Sequence, residues 1–310
     1  DLSVHATASA KDPPMTRKTV ETVLEAPRPH WVGDGFLVRP LFGPLAFTPA
    51  VSPFLMLDWA APTEFPPRDE PHGVGPHPHR GFETVTIVYD GAVDHRDSAG
   101  HVDSIGAGDE QWMTAGAGVV HEEFHGRAVS ASGGTVSMAQ LWVNLPADDK
   151  MTPPRYQPIL ARDIPVVDLP GGRLRVIAGD WTGADGVVCG PAKTFSPLAV
   201  WDATLDPGAA FAATLPEGWA TMVVVLHGGV VVEGRSVVGS RVVVFGRRGE
   251  EVAVTAGGEG AKLLVLAGRP IDEPIAAYGP FVMNSRDEIR AAIEDYNAGR
   301  MGRLEARHGD

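Results

Sequence analysis

Apolar residues in this chain recur at every second position in short runs, and the three-to-four spacing of a helix appears once, near the end. Residues 82–89 alternate, are rich in β-branched side chains and stop at Asp90-Gly91, a hairpin signal. Further extended runs follow at 102–105, 111–114, 119–124 and 136–145, parted by glycine turns at 106–109 and 115–118. In the last run Met138, Gln140 and Trp142 share one face, and Leu141 and Val143 share the other. Upstream, residues 19–38 predict short strands broken at Pro27-Arg28-Pro29, and 52–58 predict a buried strand that leads into a Pro-rich loop over 61–76. A second series of strands is expected at 174–178, 198–205, 221–226, 230–233, 241–245, 251–255 and 262–267. Its hairpin Val225-Leu226-His227-Gly228-Gly229-Val230 echoes Val88-Tyr89-Asp90-Gly91-Ala92-Val93, which hints at internal duplication. The one helix is signalled by the capping-box pair Ser285 and Glu288, the stripe Ile289, Ala292, Ile293 and Tyr296, and the stop at Gly299.

These elements divide the chain into a flexible arm (1–18), a first barrel (19–150), a Pro-rich linker (151–170), a second barrel (171–280) and a C-terminal segment with the helix (281–310), with residues 300–310 polar and frayed. With 310 residues, 44% hydrophobic, 37 Gly and 27 Pro, the chain has the length for two cores and the turns for an all-β architecture. A net charge of −13 with no basic stripe argues against direct nucleic-acid binding. It leaves a small molecule or a protein as the expected partner. No segment approaches the roughly 18 apolar residues of a membrane span. The first twenty residues lack a signal-like apolar core, so the cytoplasm is the expected compartment. The single Cys189 suits a reducing environment, excludes a thiolate zinc cage and reads as a small buried hydrophobe.

The chemistry concentrates in the histidines. Seven of the 11 (His72, His77, His79, His95, His101, His121 and His125) fall within 54 residues, where even spreading would place about two. In Pro76-His77-Pro78-His79 the two imidazoles project to one face of an extended chain, and His121 and Glu123 do the same on a later strand. If the glycine turns bring both strands into one barrel, the four form a three-imidazole, one-carboxylate site suited to Fe, Mn, Cu, Ni or Zn, with open positions left for O2 and a substrate oxygen. Glu83, four residues after His79, competes for the carboxylate position or orients a ligand histidine, although the Arg80-Gly81 step weakens its parity. His125 and Gln140 are candidates for the pocket wall. His95 and His101 read as turn or surface residues, and Trp112 and Trp142 as core.

Residues 76–85, the run Gly108-Asp109-Glu110-Gln111-Trp112-Met113-Thr114-Ala115-Gly116, the stretch Gln140-Leu141-Trp142-Val143-Asn144-Leu145 and Gly279-Pro280-Phe281-Val282-Met283-Asn284 resemble the pirin family. The resemblance spans roughly residues 30–300. It implies a bicupin, two double-stranded β-helix (jelly-roll) barrels in one chain, with a single divalent metal ion in the first. Iron as Fe(II) is the expected ion, held by His77, His79, His121 and Glu123. The family includes quercetin 2,3-dioxygenases that open a flavonol with O2, Glu123 here serving as base, and also regulators that act through protein partners. Aligning Gly228 with Gly91 places Thr214 and Pro216 where His77 and His79 stand, so the second barrel is expected to be structural.

Overall fold

Alternating side chains sort the strands into layers, one face inward and one outward. The computed structural model describes residues 16–43 and 49–304, so the arm expected over 1–18 lies for the most part outside the described residues, as do residues 305–310. The chain begins with β1 (Val20–Glu25), β2 (His30–Val32), β3 (Phe36–Phe42), β4 (Phe54–Phe65), β5 (Gly73–His79) and β6 (Phe82–Asp90). It continues through β7 (Ala92–Asp97), β8 (Val102–Gly106), β9 (Glu110–Thr114), β10 (Val119–His125), a short α1 (Arg127–Ser132), β11 (Gly134–Asn144) and β12 (Arg155–Ile159). The second half holds β13 (Val166–Leu169), β14 (Gly172–Ala178), β15 (Asp180–Gly183), β16 (Gly186–Cys189), β17 (Leu198–Leu205) and β18 (Ala210–Thr214). After β19 (Ala220–Val232), β20 (Arg235–Val238), β21 (Arg241–Phe245) and β22 (Glu251–Gly268), the chain closes with β23 (Ala276–Tyr278), β24 (Phe281–Met283) and α2 (Arg286–Asn297).

The fold is all-β, two cupin barrels followed by the C-terminal helix. The first barrel is a seven-stranded sheet, β12-β9-β6-β11-β4-β3-β2, facing a four-stranded sheet, β5-β10-β7-β8. The second is built on β1-β21-β19-β22-β17-β14-β13, with β18 on β22 and β20 on β19. The outer face of the large first sheet (Leu57, Val85, Ile87, Trp112, Leu141, Val143) packs against Ile177, Val200, Met222, Val224, Leu264 and Leu266 of the second barrel, and all twelve are buried. Each such side chain contributes about 1.5–3 kcal/mol on leaving water. This layer joins the barrels back to back.

Several expectations change. Asp90-Gly91 is a corner rather than a hairpin: β6 pairs with β9 and β11, whereas β7 pairs with β8 and β10, so the chain crosses between sheets there. Gly91 has φ +78°, and a Cβ on it would stand 2.8 Å from the Thr135 carbonyl oxygen. The echo at Gly228 is the equivalent bend inside the continuous strand β19. The Pro-rich stretch 151–170 is no bare linker, since β12 pairs with β9 of the first barrel and β13 with β14 of the second. The segment between β10 and β11 contains the short helix α1. Cys189 is exposed rather than buried, at the end of the small β15–β16 hairpin.

The two ends of the described chain cross over. β1 adds to β21 of the second barrel, while β24 and α2 pack on the first, where Val120, Phe281, Met283, Ile289, Ala292 and Met301 form one buried cluster. Met301, in the terminus expected to fray, is therefore core. Ser285 caps α2 by accepting from the Glu288 backbone N–H. Gly81 (φ +86°) lets the chain pass so close that a Cβ would lie 2.0 Å from the Val282 carbonyl oxygen. Buried Lys150 closes this junction: its Nζ donates to Gly81 O (2.8 Å), Asn144 Oδ1 (2.6 Å) and Val282 O (3.0 Å). Lys150→Met keeps the volume and strands these acceptors, so urea unfolding should show a loss of about 2–4 kcal/mol. An unchanged midpoint would mean that the ammonium does not hold the junction.

Candidate metal centre

The site is assembled by one antiparallel pairing. β10 runs against β5 with His121 directly opposite His77. One extra residue on β5 between His77 and Val74 shifts the register before Glu123, a bulge that turns both His77 and Val74 toward the interior. His77, His79 and His121 offer ligand atoms that all lie within 4.8 Å of one another. Their ring centroids are 4.3 Å (77–121), 4.8 Å (79–121) and 4.9 Å (77–79) apart. Glu123 enters a second such group, with His121 and His95, and lines the same cavity as His77 and His79. The four residues that the sequence brought together therefore meet in two overlapping triads, with His121 common to both.

The donor set fits a metal ion. His121 is fully buried, and neither of its ring nitrogens has a hydrogen-bond partner. Leaving such a group unmet costs about 1–3 kcal/mol, which coordination of one nitrogen would remove. Burial, followed by the neighbouring His77, His79 and His95, holds the His121 imidazole well below its usual pKa, and burial and His77 do the same for His79. Both rings are thus neutral, the form that binds metals. His77 Nδ1 lies 2.9 Å from Gly75 O, which assigns its proton to Nδ1 and leaves Nε2 free as a ligand.

Glu123 is fixed from the opposite sheet. Its Oε1 accepts from Gln111 Nε2 at 2.5 Å and its Oε2 from Gln140 Nε2 at 3.3 Å. Thr86 Oγ1 donates to Gln140 Oε1 (2.6 Å), and Tyr156 OH donates to Gln111 Oε1 (2.9 Å). Gln111, Thr86 and Gln140 stand side by side across β9, β6 and β11. A cavity of about 310 Å³ opens beside this centre, lined among others by Phe36, Met56, Met138, Gln140, Trp142 and Pro280. That volume is at the lower end of the range for small-molecule sites.

Three sequence readings are corrected by geometry. Glu83 does not orient a ligand histidine. Gly81 breaks the strand parity, so Glu83 faces the layer between the barrels with Val85 and Ile87, accepting from Thr114 Oγ1 at 2.7 Å and lying 3.7 Å from Arg155. His125 does not line the cavity: its Nε2 is 2.7 Å from Gly35 O and its ring sits against Phe36 and Phe65. His95 is not a turn or surface residue but is buried beside His121, with its Nε2 3.2 Å from Asp97 Oδ2 and its ring stacked on Tyr156. The signal for His95 was present, since Val93, His95 and Asp97 alternate as the buried positions of β7. His101 is half-exposed and pairs with Asp97. Trp112 is core between the barrels. Trp142 stands on the cavity wall, packed on Phe82 and His79.

Among the described residues, groups able to hold a metal occur in the first barrel alone. The second barrel's interior is filled by Trp181, Trp201, Phe211, Val223, Val225 and their neighbours. One barrel with a polar, histidine-lined centre and one with an apolar filling define a bicupin with a single metal-type site. Comparison with known proteins places it: the Pirin family domain matches residues 36–143 and the Pirin C-terminal cupin domain residues 200–302. The chain belongs to the pirin family. It is 53% identical over 273 residues to a Pseudomonas aeruginosa protein named "putative quercetin 2,3-dioxygenase", covering 87% of this chain and 94% of that one. It is 39% identical over 281 residues to pirin-like protein 2 of Arabidopsis thaliana (87% and 81% covered). A solved quercetin 2,3-dioxygenase structure from Acinetobacter baumannii superposes with a TM-score of 0.89 at 50% identity, covering 94% of this chain and all of that one.

Burial pushes the Glu83 carboxyl up to about 7 from 4.5, outweighing Thr114 and Arg155. The folded chain therefore holds an extra proton between those values, and stability should fall by up to about 3 kcal/mol as pH rises through that window. Glu83→Gln should flatten this part of the pH–stability curve and leave metal content unchanged. Loss of metal in the variant would restore Glu83 to a role at the centre.

Proposed function

We propose that the protein is a metal-dependent dioxygenase that opens the heterocycle of a flavonol such as quercetin with O2 and releases carbon monoxide. The observation that carries this reading is the three-imidazole, one-carboxylate centre on the wall of a largely apolar cavity, and the names of the similar P. aeruginosa and A. baumannii proteins support it. His77, His79, His121 and Glu123 would hold the ion, Fe(II) first, with Mn, Cu, Ni and Zn as the other candidates. When bound, the ion supplies Lewis acidity toward the substrate's 3-hydroxyl and redox chemistry toward O2.

The protein supplies placement and proton handling. Glu123, held by the Gln111 and Gln140 amides, takes the proton of the 3-hydroxyl, leaving an electron-rich enolate. Phe36 and Trp142 offer aromatic walls to a planar ligand, and Gly279 and Pro280 line the same cavity from the C-terminal half. No helix among the described residues is long and apolar enough to cross a membrane. The exposed thiol of Cys189 suits the cytoplasm.

Iron-loaded protein given quercetin under air should release carbon monoxide, and none should form without O2. Absence of the gas under air would overturn the assignment and favour a regulator that acts through a protein partner. His121→Ala should lose both metal and turnover. Glu123→Gln should retain part of the metal while kcat falls by roughly 10²–10⁴-fold. Full turnover in that variant would remove Glu123 from the role of base.

A further inference from the structure

The row of polar residues beneath the cavity does not stop at Gln140. Asp58 on β4 is directly opposite Gln140 in register, so Gln111, Thr86, Gln140 and Asp58 form one line across four strands. The first three are bonded to one another or to Glu123. Asp58 differs: it is 9% exposed, it lines the cavity, and its Oδ1 is buried with no hydrogen-bond partner. Its neighbours on the cavity wall include Val38, Met56 and Met138, which carry no side-chain N–H or O–H, and the amide of Gln140 opposite it donates to Glu123. Burial drives its pKa up to about 6, with only His30 opposing.

An acceptor kept in an apolar wall without a donor is costly to the fold, and the cost is met when a ligand brings the donor. An ammonium group would fit the carboxylate but not its surroundings, because a divalent ion at the histidines repels a second cation in the same small cavity. A neutral hydroxyl satisfies both. We infer that Asp58 is a specificity-determining residue that accepts a hydrogen bond from a substrate hydroxyl other than the one at the metal centre, and so selects polyhydroxylated aromatic substrates. This rests on the dioxygenase reading, and the test separates the two.

Zinc-loaded protein, kept free of O2 so that the bound compound is not consumed, is titrated with quercetin and with 3-hydroxyflavone, whose only hydroxyl is the metal-facing one. Binding is read by calorimetry. The unaltered protein should prefer quercetin by roughly 10–100-fold, the range of a hydrogen bond to a charged group. Asp58→Leu should abolish that preference by weakening quercetin alone, and Asp58→Asn, which keeps one carbonyl acceptor, should reduce it. Metal content and thermal midpoint are measured for each, and if Asp58→Leu does not fold, the near-isosteric Asp58→Asn decides. Equal losses for both ligands, or no preference in the unaltered protein, would overturn the inference and leave the dioxygenase reading standing. Failure of the unaltered protein to bind either compound would overturn both.

Discussion

Everything at the centre depends on the antiparallel register that sets His121 against His77. Directly opposed residues on neighbouring strands hold their Cβ atoms about 4.5–5.5 Å apart, and two imidazoles at that spacing share a ligand or repel each other once protonated. His79 follows because strand parity places it beside His77, and Glu123 because it lies two residues beyond His121. A slip of one residue would turn the whole set to the opposite face. The bulge at Gly75-Pro76 takes up the one extra residue and lets His77 and Val74 both face inward.

The hydrogen bonds around Glu123 come from a different sheet, which makes the centre a product of the whole barrel and not of two strands. Gln111, Thr86 and Gln140 belong to β9, β6 and β11 of the large sheet, and the far face of those strands is the layer against the second barrel. The second barrel therefore packs on the back of the sheet whose inner face holds the carboxylate. Its own interior carries tryptophan, phenylalanine and valine where the first carries imidazoles.

Much of this was legible in the sequence because strand parity is a local property. His77 with His79, His121 with Glu123, and Gln140 with Trp142 were paired correctly by counting in twos. What counting in twos cannot carry is a break in the strand. Gly81 reverses the parity for Glu83, and Gly91 changes sheets where a hairpin was expected. His95 was missed because its neighbours Asp94 and Arg96 are polar and face outward, which gives β7 the look of a surface strand although every second residue is core. Asp58 was read only as the end of a buried strand, since nothing in the chain order announces that it stands across from Gln140. Lys150 was read only as the last residue of the first barrel, and two of its three acceptors, Gly81 O and Val282 O, come from segments distant in sequence.

The crossing of the chain ends has a consequence for biosynthesis. A polypeptide leaving the ribosome N-terminus first presents β1 long before β21 exists to receive it, and presents the histidine strands long before β24 and α2 can seal them. The Gly81–Lys150 seam is complete only once Val282, more than 130 residues after Lys150, is in place. Separated from each other between β12 and β13, the second barrel would lack its edge strand β1 and the first would lose the β24 and α2 side chains that cover Val120.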